Sequence, residues 1–239
     1  MHLLLNEYVS RFVNLESLQT PQNKNFFTNL GSDYLQDLPY LHNISEFCLR
    51  LLLAKLKVHK ICIYSDYDTD AITATATMYW GLIELGFKAE QLQFYAPDRF
   101  SEGYGINLEA IKNLGASFDL IISVDCGINS VIEAKHILST NCDLIITDHH
   151  ELTGEIPNCI AVCNPRLTSQ NPNSELIIQE LLAQIKNNYP SYEDQIKNWL
   201  ERIKQIKTKK LMSTAVTGVG VAWFCLVWLS YFLEEANPV

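Results

Sequence analysis

With 239 residues, 48% of them hydrophobic and 19% charged, the chain has the make-up of a folded globular protein of one large domain or two small ones, which excludes a disordered polypeptide. Its formal net charge of −9 argues against non-specific adhesion to nucleic acid or to an anionic membrane, unless bound cations or a local basic groove reverse the field at one site. The seven cysteines form no CxxC pair and several sit in apolar runs, as expected for reduced, buried thiols of a cytoplasmic protein.

The N-terminal MHLLLNEYVSRF lacks a basic lead and a cleavage site, so it does not read as a secretory signal. Residues 1–39 are mixed and polar, with a first helix expected over 5–15. Asn43 followed by Glu46 predicts a capping box that opens a helix through Phe47, Leu51, Leu52 and Leu56. Lys55, Lys57, His59 and Lys60 close it, where positive charge suits the helix dipole.

Residues 61–64 are an apolar run, read as a short buried strand. The run breaks into Asp66, Asp68 and Asp70, followed by an apolar helix pattern as far as Leu85. Acids packed this closely repel one another, and burying them unpaired is costly. Two readings stand on this stretch alone. A hard divalent cation, Mg²⁺ or Mn²⁺, sits among the oxygens, or the segment is a solvated turn in which Asp70 caps the next helix.

From there strand and helix alternate: strands at 91–96, 120–124, 144–147 and 160–163, helices at 108–114 and 130–138, and a loop PDRFSEGYGIN after the second strand. The pitch implies an α/β fold built of βαβ units, a parallel sheet covered by helices on both faces, with right-handed crossovers. Asp68 and Asp70, Asp125, and Asp148 with His149 each follow the carboxyl end of a predicted strand. Those ends share one edge of a parallel sheet, where open α/β folds bind ligands. Singly, Asp125 reads as a turn residue and His149–His150 as loop histidines; together at one edge they favour a metal site.

After Arg166 the composition turns polar and helical, with amphipathic runs at 176–185 and 196–206. Its basic end (Lys197, Arg202, Lys204, Lys207, Lys209 and Lys210) reads as a solvated helix face rather than a phosphate-contacting arm. Residues 211–233 carry no charge, as a membrane span or a helix buried between layers would, although Thr214, Thr217, Gly218 and Gly220 dilute the first half. The expected organisation is an extension over 1–39, a core over 40–166, a helical insertion over 167–210 and an apolar helix over 211–239 that continues the core.

Four segments in order, DYDTDAITATA, SEGYGIN, SVDCGINS and TDHHELTGEIPNCIAVCNPR, resemble the DHH phosphoesterase superfamily, and within it the RecJ-type single-strand-specific 5′→3′ exonucleases. Asp148-His149-His150 matches the tripeptide that names the superfamily, and the later Gly218-Val219-Gly220-Val221-Ala222 resembles the start of a RecJ-type helix, which favours the buried-helix reading of 211–233 over a membrane span. The resemblance implies a three-layer DHH-type domain with a two-ion Mn²⁺ or Mg²⁺ site. Asp68, Asp70, Asp125 and His149 would be metal ligands, Asp66 and Asp148 would support them, and His150 would meet the scissile phosphate or leaving oxygen. Arg99, Gly103, Tyr104 and Gly105 would contact substrate. The implied partner is single-stranded DNA, with a single-strand-binding protein or helicase as associates and no membrane. A phosphodiesterase acting on short oligonucleotides or cyclic dinucleotides, and a non-catalytic replication scaffold, are the alternatives within the superfamily. Ala71 departs from the glycine of many relatives. RecJ-type proteins also continue into a further aspartate-bearing strand and a second lobe, so the sequence is expected to be the N-terminal piece of a longer protein or a truncated member.

Overall fold

The computed structural model describes residues 39–236 apart from 99, 101, 104, 170 and 207–212. The expected helix over 5–15 lies outside the described residues. Helix α1 (Ile44–Lys57) leads into β1 (Ile61–Ser65), α2 (Thr69–Glu84), β2 (Leu92–Tyr95), α3 (Leu108–Gly115), β3 (Leu120–Val124), α4 (Val131–Ile137), β4 (Asp143–Thr147) and β5 (Ala161–Cys163). Three longer helices follow: α5 (Ser174–Asn188), α6 (Glu193–Ile206) and α7 (Gly218–Ala236).

The strands pair in parallel in the order β2-β1-β3-β4-β5. Every residue of β1 and β3 is buried, because helices cover the sheet on both faces and leave no solvated side to alternate with. On one face Cys62, Tyr64, Ile121, Leu144 and Ile146 form a core with Ala110 and Ile111 of α3 and Ala134 and Ile137 of α4. The other face is covered by α1, α2 and α7, which touch β5, β1 and β3 respectively, with α7 packed against both of the others. Helix α2 turns Ala71, Ala74, Met78 and Leu82 inward at helical spacing.

The uncharged stretch is explained by this layering. Helix α7 packs against α1, α2 and α6, so it is surrounded by protein on most of its girth. Trp228 and Phe232 are fully buried, Phe232 lies 4.4 Å from the Trp199 ring of α6, and Trp228 Nε1 donates to the Pro39 carbonyl at 3.2 Å. Each such ring contributes on the order of 2–3 kcal/mol by leaving water. No helix among the described residues is long and apolar enough to cross a membrane. Basic side chains of α6 are partnered locally: Lys204 reaches Glu201 at 2.7 Å, and Lys197, with Lys186 of α5, reaches Glu193 at 2.8 Å, their hydrogen bonds pulling its carboxyl down to about 2.

Two local expectations are corrected. No capping box forms at Asn43, which sits at φ 59 with no side-chain cap. Its amide instead donates to Glu46 Oε1 at 2.7 Å, and Glu46, buried, takes the Ser174 hydroxyl at the start of α5. Tertiary packing claims a side chain that local logic assigned to the helix end. Helix α2 is capped by Asp68, whose carboxylate accepts from the Ala71 amide at 2.9 Å, and not by Asp70.

Arg50, fully buried in α1, ties the bottom of the sheet together: Nε donates to Asp143 Oδ2 at 2.5 Å and an Nη to the Asp119 carbonyl at 2.9 Å. Replacing it leaves that carbonyl with only the Asp143 amide at 3.1 Å, removes the charge partner of Asp143 and opens a gap in the core. Arg50→Ala is expected to cost about 2–4 kcal/mol in a urea titration, without shifting the residues at the opposite end of the strands.

Candidate metal centre

In a 2-1-3-4-5 parallel sheet the chain leaves β1 in one direction and β3 in the other, so a crevice opens beyond their carboxyl ends. The acidic turns after β1, β3 and β4 meet there. Burial raises the Cys126 thiol well above its ordinary range, and the charges of Asp148, Asp66, Asp125 and Asp68 add to it. One buried atom thus feels carboxylates that come from three separate turns.

Asp125 stands at the centre. It is buried, and its backbone adopts φ 60, a left-handed conformation uncommon outside glycine. Its amide donates to the Thr147 carbonyl at 2.9 Å, and Ser123 Oγ donates to the Cys126 carbonyl at 2.8 Å, so the turn is held from both sides. Gly127 completes it at φ 111, where a Cβ would lie 2.9 Å from Ile106 and Ser123 side-chain atoms. Strain of this kind persists where surrounding structure over-determines it.

Asp125 Oδ1 has no hydrogen-bond donor among the described residues. His149 Nε2 faces it at 3.1 Å and lies 3.7 Å from Asp70 Oδ2. Burial raises the Asp125 carboxyl, and the nearby Asp70 and Asp68 charges push it further, to about 7. A carboxylate oxygen and an imidazole nitrogen about 3 Å apart match two ligand atoms held at about 2.1 Å and a right angle on one hard cation. Side-chain ligand atoms of Asp125, His149 and His150 all fall within 4.8 Å of one another. The donor set therefore fits a divalent cation, whose charge would relieve the repulsion that raises Asp125.

The remaining residues frame that pair. Asp70 lies beside it, each oxygen accepting a backbone amide of α7: Gly218 at 2.8 Å and Val219 at 2.9 Å. Asp66 is buried and accepts from the Tyr67 amide at 2.7 Å. Asp148 Oδ1 accepts from the His149 amide at 2.7 Å and the His150 ring Nδ1 at 2.7 Å, and Oδ2 from the Ile128 amide at 2.9 Å. Burial alone would raise Asp148, but these hydrogen bonds outweigh it and hold its carboxyl below the usual range. The same bond to Asp148 raises His150 against the opposing effect of burial, with the charges of Asp148, Asp125 and Asp68 adding. An ionised Asp148 accepts, so His150 Nδ1 carries the proton of that bond.

A cleft of about 440 Å³ opens on the Asp148–His150 side, lined also by Gly105, Gly127, Asn129 and Ser130. Gly105 arrives there because the Tyr64 hydroxyl donates to its carbonyl at 3.1 Å and accepts the Asn107 amide at 3.0 Å. Gly103 is exposed and does not line the cleft. Arg99 and Tyr104, expected to contact substrate, lie outside the described residues.

Several supporting residues escaped the sequence reading. Asn164 Nδ2 donates to the His150 carbonyl at 2.9 Å, and Arg166 Nε to the His149 carbonyl at 2.7 Å. Asn129 links the loop after β3 to the loop after β4 through the Glu151 carbonyl and the Thr153 amide. They lie inside the segments that carry the family resemblance, but nothing in the sequence assigned them a role of their own.

The family model for the DHH family, N-terminal domain, matches residues 60–207. The chain is 42% identical over 127 residues to the single-stranded-DNA-specific exonuclease RecJ of Bacillus subtilis (strain 168), covering 53% of this chain and 16% of that protein. It is 36% identical over 109 residues to the protein of the same description from Thermus thermophilus, covering 46% and 16%. A crystal structure of exonuclease RecJ bound to manganese overlays with a TM-score of 0.51 at 27% identity, over 66% of this chain and 42% of that one. The matched stretch is thus 16% of the length of these curated relatives.

The elevated Asp125 carboxyl has a measurable sign. Between pH 4 and 7 the unfolded chain ionises this group while the folded, metal-free chain keeps it protonated, so Asp125 costs stability that grows to pH 7 and then levels off. In chelator, Asp125→Asn is expected to raise the unfolding temperature at pH 8 and leave it nearly unchanged at pH 4. In the parent, Mn²⁺ affinity measured by calorimetry should fall about tenfold per pH unit below about 7 from this one proton.

Proposed function

The chain belongs to the DHH family, and from that premise we propose that it is the N-terminal catalytic lobe of a RecJ-like, metal-dependent exonuclease that acts 5′→3′ on single-stranded DNA in repair and recombination. The observation that carries the reading is the buried Asp125 oxygen without a donor, opposed by His149 Nε2 at 3.1 Å at the crevice between β1 and β3. Burying a charge cluster of this kind is costly, and a cation would relieve it; the relatives so named are nucleases, one of them described as bound to manganese.

In this reading Asp68, Asp70, Asp125 and His149 would hold two Mn²⁺ or Mg²⁺ ions, with Asp66 supporting the shell. When bound, the ions supply Lewis acidity that activates a water and offsets charge developing on the phosphate. Asp148 orients the His150 ring through Nδ1–H, leaving the opposite ring nitrogen for the scissile phosphate or the leaving oxygen, and the same bond keeps the ring protonated to higher pH, so that a proton is there to be given. The cleft next to His150 has the volume of a small-ligand site and would take the terminal nucleotide. Gly103, Gly105, Arg99 and Tyr104 would contact the strand. Residues 40–166 would be the core, 1–39 an extension, 167–210 an insertion and 211–239 the segment whose helix α7 continues the core, with a cytoplasmic setting and a single-strand-binding protein or helicase as associates.

The test uses 5′-labelled single-stranded DNA with Mn²⁺, for this chain and for a longer chain spanning the relatives' full length. Nucleotide release is expected from the longer chain, and Asp125→Ala should reduce it more than about 100-fold, beyond what loss of a supporting partner costs. Release undiminished by Asp125→Ala would overturn the site. A preference for dinucleotides over long strands would move the substrate to the short-oligonucleotide class.

A further inference from the structure

Two carboxylates from distant parts of the chain, Asp70 in the first turn of α2 and Asp125 in the turn after β3, meet the same residue of α7. Asp70 Oδ2 accepts the Gly218 amide at 2.8 Å and Asp70 Oδ1 the Val219 amide at 2.9 Å. A Cβ on Gly218 would stand 2.1 Å from Asp125 Oδ1, 2.4 Å from its Cγ and 2.5 Å from its Cβ. That oxygen is buried and has no hydrogen-bond donor among the described residues, so it presses on Gly218 because the turn after β3 aims it there. The hydroxyl of Thr217 and its carbonyl are engaged in starting the helix, accepting the Gly220 and Val221 amides at 3.4 and 3.1 Å.

We infer that the first turn of α7 is a positioning element of the metal centre: the Gly218 and Val219 amides fix the plane of the Asp70 carboxylate, and the missing side chain of Gly218 sets how close Asp125 comes to it. This rests on the metal reading given above. Each Asp70 oxygen spends one lone pair on an amide and keeps another for a ligand bond. The amides also place the positive end of the α7 dipole beside the carboxylate. Helix α7 is packed into the core from Val221 and Ala222 onward, both fully buried, directly after the turn that holds Asp70.

Two substitutions separate positioning from mere folding. Gly218→Ala adds one methyl group where Asp125 now lies. Glycine is the poorer helix former, so helix propensity alone predicts an unchanged or raised unfolding temperature without metal; any fall is the steric penalty, which requires Asp125. Val219→Pro deletes one amide to Asp70 at a position in the first turn, where proline is tolerated. Mn²⁺ binding to the whole chain is measured by titration calorimetry and by the paramagnetic resonance of free Mn²⁺, with thermal unfolding in chelator alongside. Both variants are expected to weaken Mn²⁺ at least tenfold while staying folded. In an Asp125→Ala background, Gly218→Ala should no longer lower the unfolding temperature. Mn²⁺ affinity equal to the parent's in both variants would overturn the inference, as would a loss of affinity that only tracks loss of fold. Failure of the parent itself to bind Mn²⁺ would instead overturn the metal reading, and the inference with it.

Discussion

Mutual repulsion of carboxylates in a poorly solvated crevice is the constraint from which the rest of this molecule can be understood. Asp68, Asp70, Asp125 and Asp148 act on shared neighbours, and Asp125 is raised to about 7 by burial and by that company. Left uncompensated, such a cluster would push the strand ends apart. Compensation comes from backbone amides at Asp66, Asp68, Asp70 and Asp148, and from the ring of His150 at Asp148. Asp125 Oδ1 is the exception, with no donor among the described residues. The crowding is thus relieved everywhere except at the point where a cation fits.

Topology decides that the crowding falls in one place. The β2-β1-β3-β4-β5 order puts the ends of β1 and β3 side by side, with chains leaving in opposite directions. Strands buried on both faces do not shift register easily, because a slip of one residue would exchange their two packed faces. The rigidity of the core is therefore inherited by the turns, including the left-handed Asp125. Helix α7 couples the two levels: its apolar body fills the layer over the sheet, and its first amides hold a site carboxylate. An uncharged stretch that resembles a membrane segment is in fact the buried support of a charged centre.

Much of the architecture was legible because it rests on local period. The strands at 61–65, 120–124 and 143–147 and the helices between them follow from apolar runs broken by turn residues, and boundaries moved by a residue or so. What misled were residues with two suitors. Asn43 and Glu46 have the spacing of a capping box, yet Glu46 is taken by Ser174, far along the chain. Asp70 suits a helix N-cap, yet Asp68 fills that place and Asp70 goes to α7. The roles of Asn129, Asn164 and Arg166 were unreadable, although all three lie in the segments that resemble the family, because holding a backbone carbonyl from another loop leaves no pattern in neighbouring residues.

The order of residues alone determined the α/β class, the parallel sheet and the identity of the acids and histidines that follow its strands, since each depends on interactions within a few positions. Folding decided which of those groups touch. That Asp125 lies bare against His149 and against the empty α-carbon face of Gly218, and that Asp70 is gripped by the start of a helix 148 residues later, are matters of through-space distance. Electrostatic repulsion and steric exclusion act across space regardless of chain separation, so only the folded arrangement could set them.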